Sequence, residues 1–105
     1  MSEELMLTCM QIISAVGTAR SEYIEAIRLA KDNKIEEAKA KIEEGEKIFL
    51  EGHHAHSSLL TKEANGELSV GLILIHAEDQ LMSAETLKIV ATEFIDLYEN
   101  VIYKK

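Results

Sequence analysis

The stretch VGLILIHAEDQLMSAE, residues 70–85, is the most apolar part of the chain, yet polar side chains interrupt it. The polar group consists of His76, Glu78, Asp79 and Gln80. Polar side chains in an apolar setting lower stability unless they are paired, hydrated or used. The stretch therefore predicts a packed helix that carries a polar site.

Two apolar stripes run along the segment from residue 68 to residue 103, which we predict to be the third of three helices. The first stripe contains Val70, Leu74, Ala77, Leu81, Ala84, Leu87, Ala91, Phe94, Tyr98 and Val101. The second contains Leu72, Ile75, Asp79, Met82, Thr86 and Ile89. A helix in a small bundle needs only one apolar face. The second stripe therefore predicts contact between subunits.

Two earlier segments, residues 3–32 and 34–65, show single apolar stripes with helical spacing. Asn33 followed by Glu36 resembles a capping box that opens the second helix, and Asn65-Gly66 is a typical helix stop. The three segments predict an all-α domain over residues 1–105. We expect an antiparallel three-helix bundle that runs up-down-up, like a spectrin repeat.

Composition and charge restrict the class of protein. The 105 residues include no Pro and no Trp, and the net charge is −8, which disfavours binding to nucleic acid or to an anionic membrane. The acidic N-terminus lacks the features of a signal peptide, and no apolar run reaches the ~20 residues of a membrane span. Cys9 is the only cysteine, and we interpret it as a small core residue. These features predict a soluble cytoplasmic protein.

Helical spacing gathers polar groups around His76, because Asp79 lies at i+3 and Gln80 at i+4. A metal site would use His76 and Asp79, with His53 and His56 from the second helix as further ligands. A nucleophilic triad would need one of Ser57, Ser58 and Ser83, none of which has a distinctive context.

Two further interpretations of His76 stay open on spacing alone. Phosphoryl transfer requires one neutral imidazole with an exposed lone pair and hydrogen-bond donors nearby, because this catalysis depends mostly on positioning. The simplest alternative is a hydrogen-bonded histidine at a subunit interface.

Four stretches resemble the IIA components of the lactose/cellobiose class of the bacterial sugar phosphotransferase system. LILIHAEDQLMSAE (72–85) is similar to their active-site segment, with its His-x-x-Asp motif followed by Leu-Met after one further residue. GTARSEYIEAI (17–27) resembles a stretch of their first helix, and GHHAHSSLLTKEANGE (52–67) one of their second. FIDLYE (94–99) is similar to their C-terminal end, so the resemblance spans about the whole chain.

The resemblance implies a homotrimer with nine helices and a phosphoryl relay. His76 would be phosphorylated on Nε2 by the histidine phosphocarrier protein and would pass the group to a cysteine of the IIB component. The membrane IIC permease would be an indirect partner, and the cargo a lactose- or cellobiose-type β-linked disaccharide. Asp79 of each subunit would lie at the threefold axis and bind Mg²⁺ or another divalent cation, with no organic cofactor.

Three residues depart from the family pattern. Gln80, which we expect to support transfer, stands where relatives mostly have His, and Glu78 stands where Gln is common. His53 corresponds to the second-helix histidine of the family, while His56 stands where Gln is usual. Glu78 adds negative charge close to a group that carries roughly −2 when phosphorylated.

Two alternatives belong to other functional classes. The first is a non-catalytic helical adaptor or metal-binding bundle. The second is a histidine phosphotransfer domain of a two-component system, which also carries its histidine on a helix. The first alternative would have kept the fold and lost the relay, whereas the second does not account for the first- and second-helix stretches of the resemblance.

Overall fold

A computed structural model describes residues 2–105 and contains three long helices followed by a short π-helix. The helices are α1 (Glu3–Lys31), α2 (Ile35–Ala64) and α3 (Leu72–Leu97), and the π-helix spans Tyr98–Ile102. The described residues contain no strand. The predicted all-α fold with three helices is confirmed.

The helices pack side by side in a slender bundle with extents of 57 × 19 × 18 Å. Lys62 near the end of α2 forms an ion pair with Glu4 at the start of α1, at 3.1 Å. Tyr103, beyond the π-helix, donates a hydrogen bond to the carbonyl of Lys31 at the end of α1. Since the end of α2 meets the start of α1, and the end of the chain meets the end of α1, the bundle runs up-down-up as predicted.

The core lies along α1, whose predicted stripe is buried almost throughout. Cys9 is fully buried, which confirms it as a core residue; burial raises the pKa of its thiol, and the charge of Glu78 raises it further. Tyr23 is also fully buried in the middle of the bundle. The remaining buried residues of α1 are Leu5, Ile12, Ala15, Val16, Ala19, Ala26 and Ala30.

Two glycines let α2 approach α1 closely. A Cβ built on Gly45 would lie 2.6 Å from Cε1 of Tyr23, and one on Gly52 would lie 2.8 Å from Cγ1 of Val16. Both distances are shorter than real side chains tolerate. The seven-residue spacing of these glycines keeps them on one face of α2, so glycine is required along this contact.

The turn between α1 and α2 differs from the predicted capping box. Asn33 does not cap α2; it adopts the left-handed conformation, with φ of 59°. Its N–H bonds the carbonyl of Ala30, and the N–H of Lys34 bonds that of Leu29. This is a Schellman ending of α1, a position where Asn is tolerated because it enters the left-handed region more easily than most residues.

The third helix begins at Leu72, four residues later than the predicted start at residue 68. Gly66 ends α2 in the left-handed conformation, with φ of 72°. Leu68, in the segment between the helices, then packs against the core, and Gly71 is extended at φ −146° and ψ 176°. The anchoring of Leu68 and the low helix propensity of glycine together delay the helix.

The first stripe of α3 is buried only in its middle. Leu74, Ala77, Leu81, Ala84 and Ala91 face the core as predicted. Val70 and Val101 are 72% and 67% exposed, because the first precedes α3 and the second lies in the π-helix. Ile95 is buried and Phe94 is exposed, because the next core-facing position after Ala91 lies four residues further along the helix and not three.

No helix within residues 2–105 combines the length and the apolar character needed to cross a membrane.

Candidate functional site

His76 lies in the second turn of α3, and its side chain is exposed. The buried neighbour Ala77 holds this turn against the core, so the helix presents the imidazole to solvent from a packed element. Gln80, one turn later, is half-buried, which fits its place between the exposed side of α3 and the core. The side-chain hydrogen bonds formed among residues 2–105 join other pairs, so both groups keep their bonding capacity for a ligand.

The second stripe of α3 is exposed along its length. Leu72 is 84% exposed, Ile75 56%, Met82 64% and Ile89 61%. Asp79 is exposed within the same stripe. Exposed apolar side chains in a row along one helix mark an interaction surface rather than ordinary surface scatter. We call these four apolar residues and Asp79 the outer face of α3.

A groove of about 410 Å³ continues from the outer face toward α1. Arg20 of α1 lines it together with Asp79 and Ser83 of α3. Arg20 is exposed and permanently charged, with a planar set of donors suited to carboxylate or phosphate. Arg20 therefore brings a cationic hydrogen-bond donor into the same groove as the carboxylate of Asp79, which lies three residues after His76.

Glu78 points to the other side of α3, toward α2. One of its carboxylate oxygens, Oε1, lies 2.7 Å from Nε2 of His56. The His56 side chain is 14% exposed and that of Glu78 42%, so the contact is partly shielded from water. Successive residues of a helix are ~100° apart, which sets His76 and Glu78 ~200° apart around α3.

The metal site built from both helices is therefore not formed within one subunit. His56 contacts Glu78 on the α2 side, whereas His76 lies on the opposite side of α3 and Asp79 on the outer face between them. His53 is exposed and lines a different groove, next to Tyr23 and Lys88. Among residues 2–105, no three His, Cys, Asp or Glu side chains are close enough to hold a metal ion.

The geometry suits transfer of a small charged group between macromolecules. The imidazole of His76 is exposed on the surface of α3, so a partner can reach it directly. A hydrogen-bond donor lies nearby on Gln80 at i+4, and Arg20 lines the groove that Asp79 and later residues of α3 form. Such donors stabilise the oxygens of a transferring phosphoryl group, where catalysis consists mostly of positioning and electrostatics.

Two features of this region were not predicted from the sequence. Arg20 falls within the GTARSEYIEAI stretch, but only the folded bundle brings α1 beside Asp79. The contact of His56 with Glu78 joins residues that are 22 positions apart. A basic residue on α2 and an acidic residue on α3 could have suggested this contact. The sequence does not give the register of α2 against α3, which decides which residues meet.

The chain belongs to the lactose/cellobiose-specific IIA family of the sugar phosphotransferase system. Residues 7–99 match the family described as "PTS system, Lactose/Cellobiose specific IIA subunit". The three-helix fold agrees with that assignment.

Relatives cover nearly the whole chain. The chain is 39% identical to a lichenan-specific phosphotransferase enzyme IIA component of Bacillus subtilis, over 96% of this chain and 93% of that protein. It is 34% identical to a lactose-specific EIIA component of Staphylococcus epidermidis, over 92% of this chain and 94% of the relative. The crystal structure of a cellobiose-specific enzyme IIA from Bacillus anthracis superimposes with a TM-score of 0.93 at 38% identity, covering 100% of this chain and 97% of that one.

Proposed function

We propose that this protein is a cytoplasmic phosphocarrier for the uptake of lactose- or cellobiose-type β-linked disaccharides. Family membership supports the role, and the observation that carries it is the exposed imidazole of His76 on a well-packed helix. The phosphoryl donor is the histidine phosphocarrier protein, and the acceptor is a cysteine of the IIB component. The IIC permease, which moves the sugar, is reached only through IIB.

In the first step, the Nε2 lone pair of His76 attacks the phosphorus of the donor's phosphohistidine. The donor P–N bond breaks as the new P–N bond forms, and the proton of His76 stays on Nδ1. In the second step, the IIB thiolate attacks the same phosphorus, and the electron pair returns to Nε2. Gln80 donates to the phosphoryl oxygens, and this hydrogen bond offsets part of their negative charge.

The assembly we propose is a homotrimer in which α3 of each subunit lies nearest the threefold axis. The outer face of α3 supports this proposal, because Leu72, Ile75, Met82 and Ile89 would be left in water in a monomer. Burial of apolar area contributes roughly 25 cal/mol per Å². Three copies of α3 would cover one another's outer faces.

A divalent cation would fit such an axis. One subunit offers a single exposed carboxylate, Asp79, on the outer face, and three copies would supply three hard oxygen donors of the kind that Mg²⁺ prefers. A bound cation would neutralise part of the negative charge of the three carboxylates. Arg20, in the groove beside Asp79, offsets part of the same charge.

Incubation with phosphoenolpyruvate, enzyme I and the histidine phosphocarrier protein tests the proposed function. The wild-type protein should acquire an acid-labile, base-stable phosphate on His76. His76→Ala should lower the incorporation to background without loss of helicity, because no other histidine lies in the His-x-x-Asp-Gln-Leu-Met context. His54→Ala is a matched control, since that side chain is exposed on α2.

A His76→Ala variant that incorporates label at the wild-type rate would refute the assignment. Absence of label from the wild-type protein would favour the non-catalytic alternative. Label that a two-component histidine kinase supplies, and the phosphocarrier does not, would favour the phosphotransfer-domain alternative.

A further inference from the structure

Asn65 and Gly66 form the only Asn-Gly pair in the chain. The side-chain amide of an asparagine can be attacked by the backbone nitrogen of the next residue. Glycine permits this attack most readily, because it has no Cβ and a freely adjustable backbone. Both residues are exposed at the point where α2 ends. The pair therefore combines the residue types and the exposure that spontaneous deamidation requires.

The turn that ends α2 holds this pair in an unreactive conformation. The N–H of Gly66 bonds the carbonyl of Glu63 at 3.0 Å. The N–H of Glu67 bonds the carbonyl of Lys62 at 2.9 Å. With ψ of Asn65 at 3°, the Gly66 nitrogen is rotated away from the Asn65 side chain about the Cα–C bond. Attack on that side chain therefore requires both hydrogen bonds to open.

Opening of this turn is a local event at the end of a helix. Helix ends fray, because their last carbonyls lack partners within the helix. Residues 65–67 are exposed, and Leu68 is the first residue after the turn that packs against the core. The turn can therefore open while the rest of α2 and the core stay folded.

We propose that Asn65 is a site of spontaneous deamidation and that fraying of the end of α2 controls its rate. In the open turn, the Gly66 nitrogen gives up its proton to solvent and attacks Cγ of Asn65. The new C–N bond closes a succinimide ring, and the side-chain nitrogen takes up a proton and leaves as ammonia. Water then opens the ring. Cleavage of the bond from nitrogen to Cγ leaves aspartate at position 65, and cleavage of the bond to the backbone carbonyl carbon leaves isoaspartate.

Either product weakens the end of α2. Each adds one carboxylate, which changes the net charge from −8 to −9. This charge lies at the C-terminal end of a helix, where the helix dipole disfavours an anion. Isoaspartate also adds a carbon to the main chain, so the hydrogen bonds of Gly66 and Glu67 can no longer both form with their present geometry. Leu68 follows directly, and we expect its packing against the core to weaken as well.

Long incubation of the folded protein in buffer, followed by mass spectrometry of its peptides, tests the proposal. The peptide with Asn65 should show replacement of NH₂ by OH, and an isoaspartyl methyltransferase should label part of the product. Asn33 is the matched internal control, because it is also exposed at a helix end but is followed by Lys34. It should keep its amide. In the urea-unfolded chain, Asn65 should convert about 5- to 100-fold faster, which corresponds to the two backbone hydrogen bonds that hold the turn.

Asn65→Gln separates this modification from other effects of ageing. Attack on its longer side chain would have to close a six-membered ring, so the modification should stop while an amide remains at the position. The isoaspartate form of the wild-type protein, purified by ion exchange, should unfold at a lower urea concentration than fresh protein. Aged Asn65→Gln should keep the midpoint of fresh Asn65→Gln.

Four outcomes would overturn the inference. The first is an amide of Asn65 that outlasts its half-life in the unfolded chain by more than about 100-fold, beyond what two hydrogen bonds explain. The others are equal conversion at Asn33 and Asn65, equal rates in folded and unfolded protein, and an unchanged urea midpoint in the isoaspartate form. None of these measurements depends on label uptake by His76, so each leaves the proposed function intact.

Discussion

At the scale of single residues, burial of Tyr23 affects both the pKa of its hydroxyl and its contribution to stability. Its ring is fully buried, and its hydroxyl oxygen has no hydrogen-bond partner among the described residues. Burial, with a contribution from the charge of Glu46, raises the pKa of Tyr23 from its ordinary value of 10.0 to about 12. The ring of Tyr23 fills the space that Gly45 leaves open on α2. The volume of the ring, rather than its hydroxyl group, therefore explains why a tyrosine fits this position.

Tyr23→Phe should raise the free energy of unfolding by about 1 kcal/mol, because it removes a buried hydroxyl that the protein leaves unsatisfied. The folded state keeps the phenolic proton up to a higher pH than the unfolded state does. Wild-type stability should therefore fall as the pH rises from about 10 to about 12, and this loss should be smaller in the variant. Urea unfolding at pH 8 and at pH 11 measures both effects.

Tyr103→Phe serves as the control, because that hydroxyl donates to the carbonyl of Lys31. It should lower the free energy of unfolding by about 1 kcal/mol. Destabilisation by Tyr23→Phe of the same size would show that the Tyr23 hydroxyl is paired.

Gln80 should assist transfer without being required for it. One hydrogen bond to a charged group contributes about 1.5–3 kcal/mol, so Gln80→Leu should slow phosphorylation of His76 by about 10- to 100-fold. Gln80→His, which has the usual family residue, should keep activity. Rapid-quench measurement of label uptake decides the point, and a wild-type rate in Gln80→Leu would show that the side chain takes no part.

At the scale of helices, the close approach of α2 to α1 depends on glycines. Gly45 and Gly52 meet side chains of α1 at distances that exclude a Cβ, whereas a Cβ on Gly17 would meet nothing within 4 Å. Glycine in the interior of a helix costs about 0.5–1 kcal/mol relative to alanine. The close contact between the helices therefore explains why glycine is needed at positions 45 and 52, but it does not explain glycine at position 17.

Gly45→Ala should lower the free energy of unfolding by about 1–3 kcal/mol, because the methyl group overlaps the ring of Tyr23 and forces α1 and α2 apart. Gly17→Ala, on the opposing helix, is the matched control and should raise it by about 0.5–1 kcal/mol. Thermal and urea unfolding at one protein concentration compare the two. Equal destabilisation by both variants would contradict the close-contact explanation.

At the scale of the whole molecule, the bundle buries one stripe of α3 and leaves the outer face exposed. The side chain of Asp79 lies in the middle of that face. Three carboxylates brought together at an axis would repel one another in a partly desolvated site. In the proposed trimer, assembly and charge would therefore be coupled at this position.

Asp79→Leu should keep or strengthen the proposed trimer, because it replaces a desolvated charge by apolar contact. Asp79→Lys should disrupt assembly, because three ammonium groups at the axis would lack a counter-ion. Light scattering and sedimentation over a range of protein concentrations report the mass. A wild-type monomer at high micromolar concentration, or a trimeric Asp79→Lys variant, would contradict the axial position of Asp79.

The amino-acid pattern alone predicted the three helices and the core of α1. Helical periodicity is a local property, and residues such as Cys9, Ile12 and Val16 recur at spacings that only one face of a helix can bring together. The Asn65-Gly66 stop of α2 was predicted for the same reason, since the left-handed conformation of Gly66 is a local preference. The exposed position of His76 also follows from its phase relative to the apolar stripe.

Contacts between helices decided the features that the pattern could not predict. The late start of α3 depends on Leu68, which packs against the core from the segment between α2 and α3. The groove shared by Arg20 and Asp79 depends on how α1 is rotated and shifted against α3, and the contact of His56 with Glu78 depends on the position of α2. Periodicity determines which face of each helix is apolar, but the rotation and height of one helix against another are set by packing of the whole core.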